Sequence, residues 1–284
     1  MKTEKLSSGI PNVKDYENLA RSGLFLDMEA FSSAFLIRNK QHLESYSKKW
    51  VPDPLHQWSR QWEYPFVYER IASHCSTNTL GKPNILDAGS GITFFPYYLQ
   101  SHLKDASVYC CDYDSSLENI YSLINNNEEK PIAFNTASLK NMGFQDSFFD
   151  CIYCISVLEH TNDYQDIIDE FHRIMKPNGL LVVTFDISLD GNNDISPAAA
   201  KRLLTDLGKR FSVTGYPNGD ISALIKNTEI LTTGYAKNKN PALLPWKKLP
   251  LLVRQIKLFL RKGRFSAFPP PFTVYCQSLT KRCA

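Results

Sequence analysis

From Asn84 to Phe185 short apolar runs alternate with longer stretches whose apolar residues recur every three or four positions. That alternation is the pattern of a parallel sheet covered by helices. The spacing predicts strands at 84–88, 107–111, 131–135, 149–154 and 180–185, with helices near 95–104, 115–126 and 164–175. The run Lys176-Pro177-Asn178-Gly179 is predicted to stop the last helix and turn the chain into the next strand. Farther on, SPAAAKRLLTDLGKR reads as a helix with Ser196 as N-cap and Pro197 as its first residue. The tail FTVYCQSLTK reads as a closing strand.

Outside this alternating core lie two segments of different character. Residues 1–80 carry polar helical patterns and then an aromatic stretch, SYSKKWVPDPLHQWSRQWEYPFVYERI, predicted to cap or flank the sheet. A basic, proline-containing insertion falls at about 217–270. The expected organisation is therefore an extension, 1–80, and one α/β domain, 81–284, with its core at 81–188.

Composition narrows the class without naming the chemistry. A hydrophobic fraction of 43% and a charged fraction of 21% suit a packed globular core. A net charge of +3 is too balanced to make nucleic acid the default partner. No stretch is apolar for long enough to span a bilayer, and the start lacks the apolar run of a secretory signal, so the cytoplasm is the expected compartment. The seven cysteines form no disulfide or zinc framework. Cys151 and Cys154 are three apart on a predicted strand, so they point to opposite faces and serve packing. No metal site is expected.

Asn84-Ile85-Leu86-Asp87-Ala88-Gly89-Ser90-Gly91 is a strand that runs into a glycine turn and then a helix. Glycines at alternate positions allow a tight bend and a close approach of backbone to ligand. The following strand ends in Asp112, about twenty residues on, where a carboxylate can accept hydrogen bonds from ribose hydroxyls. A dinucleotide fingerprint would want a third glycine at position 94, which is Phe94 here.

ILDAGSG resembles the first motif of class I S-adenosylmethionine-dependent methyltransferases, and YCCDYDSS resembles their second. ASLKNMGFQDSFFDCIYCISVLEH resembles the third and fourth motifs, and FHRIMKPNGLLVVTF the helix, turn and fifth strand. The resemblance covers 81–188. It implies a Rossmann-like, seven-stranded, mostly parallel sheet with helices on both faces, and S-adenosyl-L-methionine as cofactor. It also implies cofactor contacts from Asp87, Gly89, Ser90, Gly91, Asp112, Tyr113, Ser138, Leu139, Cys154 and Ile155. Many members carry an aspartate at the adenine loop where this chain has Ser138, so that contact passes to the Ser138 hydroxyl or to backbone at Leu139.

Methyl transfer from a sulfonium is an in-line displacement that depends on positioning and on exclusion of water. His160, just past the fourth strand, is a candidate general base, and Glu159 a candidate to orient it or bind a polar acceptor. Both also suit the start of a helix capped by Thr161, Asn162 and Asp163. His56, Trp58, Arg60, Trp62 and Tyr64 are candidate acceptor-binding residues, since stacking rings and polar groups suit a small polar molecule; packing of the extension onto the sheet is their other use. The stretch 46–68 is expected to close over the cofactor.

Neither an Asn-Pro-Pro-Tyr-like run nor a Pro-Cys dipeptide is present, which argues against base methylation. The expected activity is methyl transfer to an oxygen or nitrogen of a small-molecule or glycan acceptor. The alternatives are an RNA or protein acceptor, or a non-catalytic cofactor-binding module. The basic, amphipathic run 245–264 is a candidate for peripheral membrane contact, or for packing on the protein itself.

Overall fold

A computed structural model describes residues 6–161, 164–192, 195–214, 221–246, 253, 256, 259–260 and 269–282. Four helices lead the chain: α1 (Val13–Leu19), α2 (Gly23–Arg38), α3 (Lys40–Lys49) and α4 (Arg60–Thr77). The alternating core follows as β1 (Asn84–Ala88), α5 (Phe95–His102), β2 (Ser107–Asp112), α6 (Leu117–Asn125), β3 (Ala133–Thr136), β4 (Phe149–Ile155), α7 (Tyr164–Ile174) and β5 (Met175–Ser188). Then come α8 (Pro197–Arg210), β6 (Phe211–Thr214), α9 (Ile221–Leu224), α10 (Thr233–Lys239) and β7 (Phe272–Lys281).

Among the described residues the strands form one seven-stranded sheet in the order β3-β2-β1-β4-β5-β7-β6. β1, β2, β3, β4 and β5 run parallel, while β7 is antiparallel to both β5 and β6. This is the mostly parallel Rossmann-like sheet that the sequence predicts. The strand order reverses between β1 and β4, so the crevice at their carboxyl ends is where such a fold binds ligands.

Side chains alternate across the sheet as strand geometry requires. Ile85, Val108, Cys110, Cys151, Tyr153 and Val182 face one apolar layer, shared with α2, α4, α5 and α6. Leu86, Cys111, Ile152, Cys154, Leu181 and Val183 face the other, covered by α7 and α8. Cys151 and Cys154 thus lie on opposite faces, as expected for packing residues. The extension before the sheet is not a separate lobe: Tyr16, Phe35, Trp58, Trp62 and Phe66 belong to the first layer together with the strand residues.

Two expectations need correction. The run from Lys176 to Gly179 lies inside β5, which begins at Met175. The predicted turn survives only as a register shift between Phe149 and Cys151 and a positive φ of 60° at Asn178. A strand also follows α8 directly: β6, only four residues long, is held by pairing with the end of β7. Ser196 does cap α8, its side chain accepting from Ala199 N. Ahead of α1, Gly9 makes an antiparallel bridge to Cys276, with N–H to O distances of 2.7 and 2.9 Å.

Candidate functional site

The glycine turn after β1 is held in a conformation other residues resist. Gly89 and Gly91 have φ of +82° and +51°. A Cβ on Gly89 would lie 2.6 Å from Val157 Cγ2, and one on Gly91 would lie 2.5 Å from the Tyr46 hydroxyl oxygen. The amides of Gly89 and Ser90 both donate to Cys111 O, at 2.8 and 3.1 Å, which ties the turn to the end of β2. Buried Tyr121 completes the support by donating to Gly91 O at 2.9 Å.

Asp112 ends β2 facing this turn. Its Oδ2 accepts from Gly91 N at 2.9 Å and its Oδ1 from Asp114 N at 3.1 Å. Each carboxylate oxygen has two acceptor sites, so both retain capacity for a ligand hydroxyl.

The extension roofs the same place. Tyr46 on α3 accepts the Ile92 N–H at 3.0 Å, and Lys49, one turn on, lies 3.6 Å from Asp114. Burial pushes the Tyr46 hydroxyl up to about 12, so it keeps its proton and can donate it.

Helix α4 packs on β4, β5 and β7 and brings its first turn to the tip of β4. There Arg60 Nη1 donates to Ser156 Oγ at 2.6 Å, and Ser156 donates to Glu63 Oε1 at 2.8 Å. Arg60 also pairs with Glu63 Oε2, and the Thr184 hydroxyl donates to Oε1. Glu63 is wholly buried, and this set of partners compensates its charge. Ser156 has a φ of +48°, a sparsely populated conformation for a residue with a Cβ. Val157, next along, is the side chain that packs on Gly89.

Two further acids border this polar tip. Asp87 is buried at the end of β1, which pushes its carboxyl up to about 8; nearby Asp112 adds to the rise, while the Tyr153 hydroxyl and Arg60 oppose it. Glu159 is buried on the short 3-10 turn Leu158–His160, and burial pushes it up to about 8 as well, with Glu63 adding. Its Oε1 accepts from Asp186 N at 3.2 Å, whereas its Oε2 is buried with no hydrogen-bond partner among the described residues.

The remaining sequence candidates separate into near and far. Tyr64, buried against Phe94 and Phe95, lies with its ring 6.0 Å from the Arg60 guanidinium carbon. Ser138 and Leu139 follow β3 in a loop whose Ala137 N–H donates to Asp112 O at 2.9 Å; Ser138 is exposed and Leu139 half-buried. Tyr113 is 82% exposed, which leaves its ring free beside Asp112. His160 is exposed at the mouth. Ile155 borders the α4 layer, but Cys154 points into the opposite, dry layer.

Trp58 and Trp62 are 1% and 0% exposed within the core, so their rings serve packing and offer no free face to an acceptor. His56 has both ring nitrogens engaged, 2.7 Å from Asp53 and 2.7 Å from Glu29. The sequence reading missed Glu63; a carboxylate among the aromatics of RQWEYPF was the available signal, because such a helix has no polar face to put it on. Most of 245–264 lies outside the described residues.

Residues 86–183 match a family model described as a methyltransferase domain. The chain is 22% identical over 222 residues to a tRNA U34 carboxymethyltransferase of Sulfurimonas denitrificans, covering 76% of this chain and 72% of that protein. It is 25% identical over 132 residues to a ubiquinone biosynthesis O-methyltransferase of Rickettsia akari, covering 42% of this chain and 46% of that protein. Among solved structures, phosphoethanolamine N-methyltransferase 2 of Haemonchus contortus in complex with S-adenosyl-L-methionine aligns at 13% identity and a TM-score of 0.46, over 81% of this chain and 58% of that one.

Proposed function

We propose that this chain, whose residues 86–183 match a methyltransferase domain, is a class I S-adenosylmethionine-dependent methyltransferase that acts on an oxygen or nitrogen of a small-molecule or glycan acceptor. When bound, S-adenosylmethionine supplies a methyl group on a sulfonium, an electrophile that needs a nucleophile in line and little else.

The residues present fit that cofactor in kind. A cradle of two positive-φ glycines admits backbone-close binding, and Asp112 has acceptor capacity for the ribose hydroxyls. The loop at Ser138 and Leu139 is assigned to adenine. The methionine part carries an ammonium and a carboxylate, and the site offers the complement of each, Asp87 at the end of β1 for the first and Arg60 at the start of α4 for the second.

The observation that carries the acceptor reading is the roof. Tyr46 sits on Ile92 and Arg60 on Ser156, so α3 and the first turn of α4 both close over the carboxyl ends of the strands. A covered site excludes water and favours an acceptor small enough to enter it, or the terminal group of a glycan. His160, exposed at the mouth, is assigned to take a proton from the acceptor. Glu159, anchored to β5 behind it, is assigned to orient a polar group of the acceptor.

An RNA acceptor is the second reading, supported by the similarity to the tRNA U34 carboxymethyltransferase. Transfer of labelled methyl to a panel of sugars, small amines, phenols and bulk transfer RNA separates the two. Label entering small acceptors but not RNA supports the first reading; label confined to RNA replaces it with the second.

A further inference from the structure

Tyr46 stands on α3, half-buried, in the extension that precedes the sheet. Gly91 has no side chain at the point where this tyrosine comes down, and a Cβ there would lie 2.5 Å from the phenol oxygen. The space that the glycine leaves open is therefore taken by a hydroxyl, and a ligand that approaches the turn meets it. The oxygen already accepts the Ile92 N–H at 3.0 Å. Its proton has no such partner: among the described residues no carbonyl, carboxylate or hydroxyl receives it. Because burial pushes the phenol up to about 12, that proton is present at neutral pH. Tyr46 thus offers a donor with no acceptor.

Arg60 has the same kind of surplus. Its hydrogen bonds to Ser156 and Glu63 both leave from Nη1. Nη2 and Nε have no acceptor among the described residues. The guanidinium is also near enough for its charge to bear on the Tyr46 hydroxyl. Asp112, the acid at the glycine turn, receives backbone amides and neither of these groups. Two neighbouring donors, one of them cationic, call for an anion with more than one oxygen, and a carboxylate presents its pair in the geometry that a guanidinium matches.

Resting on the reading of this chain as an S-adenosylmethionine-dependent enzyme, we propose that Tyr46 belongs to the cofactor site, where its hydroxyl donates to the cofactor's carboxylate beside Arg60. The extension then contributes to cofactor recognition directly, in addition to covering the site. An acid group on the acceptor is the other source of a carboxylate at this position.

Calorimetric titration of the full chain with S-adenosylmethionine and with its decarboxylated form, which keeps the sulfonium and the ammonium, separates the two. The wild type is expected to bind the decarboxylated form roughly a hundredfold more weakly, since both donors lose their acceptor. Tyr46→Phe is expected to bind S-adenosylmethionine roughly tenfold more weakly than the wild type does, yet to bind the decarboxylated form equally well, because the two changes remove the same hydrogen bond. The variant also lacks the acceptor for Ile92 N–H, a purely structural loss that would weaken both ligands alike. Equal losses toward the two ligands therefore overturn the proposal, and so does an unchanged affinity of Tyr46→Phe for S-adenosylmethionine. Wild-type binding of both ligands with the same affinity leaves the cofactor reading intact and overturns the proposal alone, in favour of an acidic acceptor. Failure of the wild type to bind either ligand overturns the cofactor reading, and the proposal with it.

Discussion

Arg60 and Ser156 are 96 positions apart in sequence, yet the guanidinium donates to the serine hydroxyl at 2.6 Å. The contact fixes the first turn of α4 to the tip of β4, and Glu63 receives both groups. In Glu63→Gln the shape is kept and the charge removed, which leaves Arg60 without its counter-ion. Breaking one side of a buried pair costs about 3–5 kcal/mol. The expected outcome is a clear fall in thermal midpoint together with weaker cofactor binding by calorimetry. An unchanged midpoint would show that the pair is dispensable to the fold.

Asp112→Ala removes the acceptor assigned to the ribose hydroxyls and also frees the Gly91 amide. Hydrogen bonds to a charged group contribute about 1.5–3 kcal/mol, so affinity for S-adenosylmethionine should fall roughly ten- to a hundredfold. Calorimetric titration reads this directly, and equal affinity in both proteins would take Asp112 out of the cofactor site.

Asp87 carries a trade between stability and binding. Its folded value, pushed up to about 8 by burial, lies above its unfolded value near 3.8. Between these two values the folded state holds a proton that the unfolded state has released, so stability falls as pH rises through the window. Asp87→Asn removes that penalty and should raise the thermal midpoint of the free protein at pH 8, by about 2–4 °C for each kcal/mol recovered. It should also weaken cofactor binding, because the amide cannot answer an ammonium. A lowered midpoint at pH 8, measured by calorimetric scans at pH 5 and 8, would contradict this account.

His56 ties the stretch between α3 and α4 to Glu29 on α2 through protonation. The Asp53 hydrogen bond, helped by Glu29 against some burial, raises it to about 9 from an ordinary value near 6.5. Its contribution is complete below pH 6.5 and disappears as pH rises through about 9. The thermal midpoint of the wild type should therefore decline between pH 7 and 9.5, and that decline should be shallower in His56→Gln. Parallel curves for the two proteins would mean that the clamp adds nothing.

For His160→Ala with the true acceptor, turnover should drop by about a hundredfold or more if the imidazole takes a proton in the transition state, while cofactor affinity stays constant. Glu159→Gln should instead raise KM for the acceptor if its carboxylate orients that molecule. Turnover undiminished in His160→Ala is the outcome expected for an amine that attacks unaided.

The strands were legible where short runs rich in apolar, β-branched and aromatic residues stand between turn signals: 84–88 and the closing run of ten residues at the end were readable to the residue. β6 was not, because FSVT is too short for a pattern and exists through its partner β7. Proline and glycine at 177 and 179 gave a misleading turn signal, since the irregular start of β5 accommodates them inside the strand. In the site, the glycine turn and Asp112 follow from local sequence, whereas the pairing of Arg60 with Glu63, Ser156 and Thr184 depends on where a whole helix lands. Tryptophans 58 and 62 illustrate the same limit: identity alone does not distinguish a ring that packs from one that binds.

The bridge between Gly9 and Cys276 has a bearing on how the chain behaves in solution. β6 covers β7 only from Ser278 onward, so the earlier half of β7 would present open amide and carbonyl groups along an apolar strand, the template on which chains add to one another. Gly9 occupies both groups of Cys276, and the Thr273 hydroxyl bonds to Leu231 O at 2.7 Å nearby. The leading residues thus act as a guard on the sheet's unfinished margin. A chain shortened to begin at Asn12 should keep its glycine turn and yet self-associate, a tendency that light scattering at rising concentration would detect before any loss of cofactor binding.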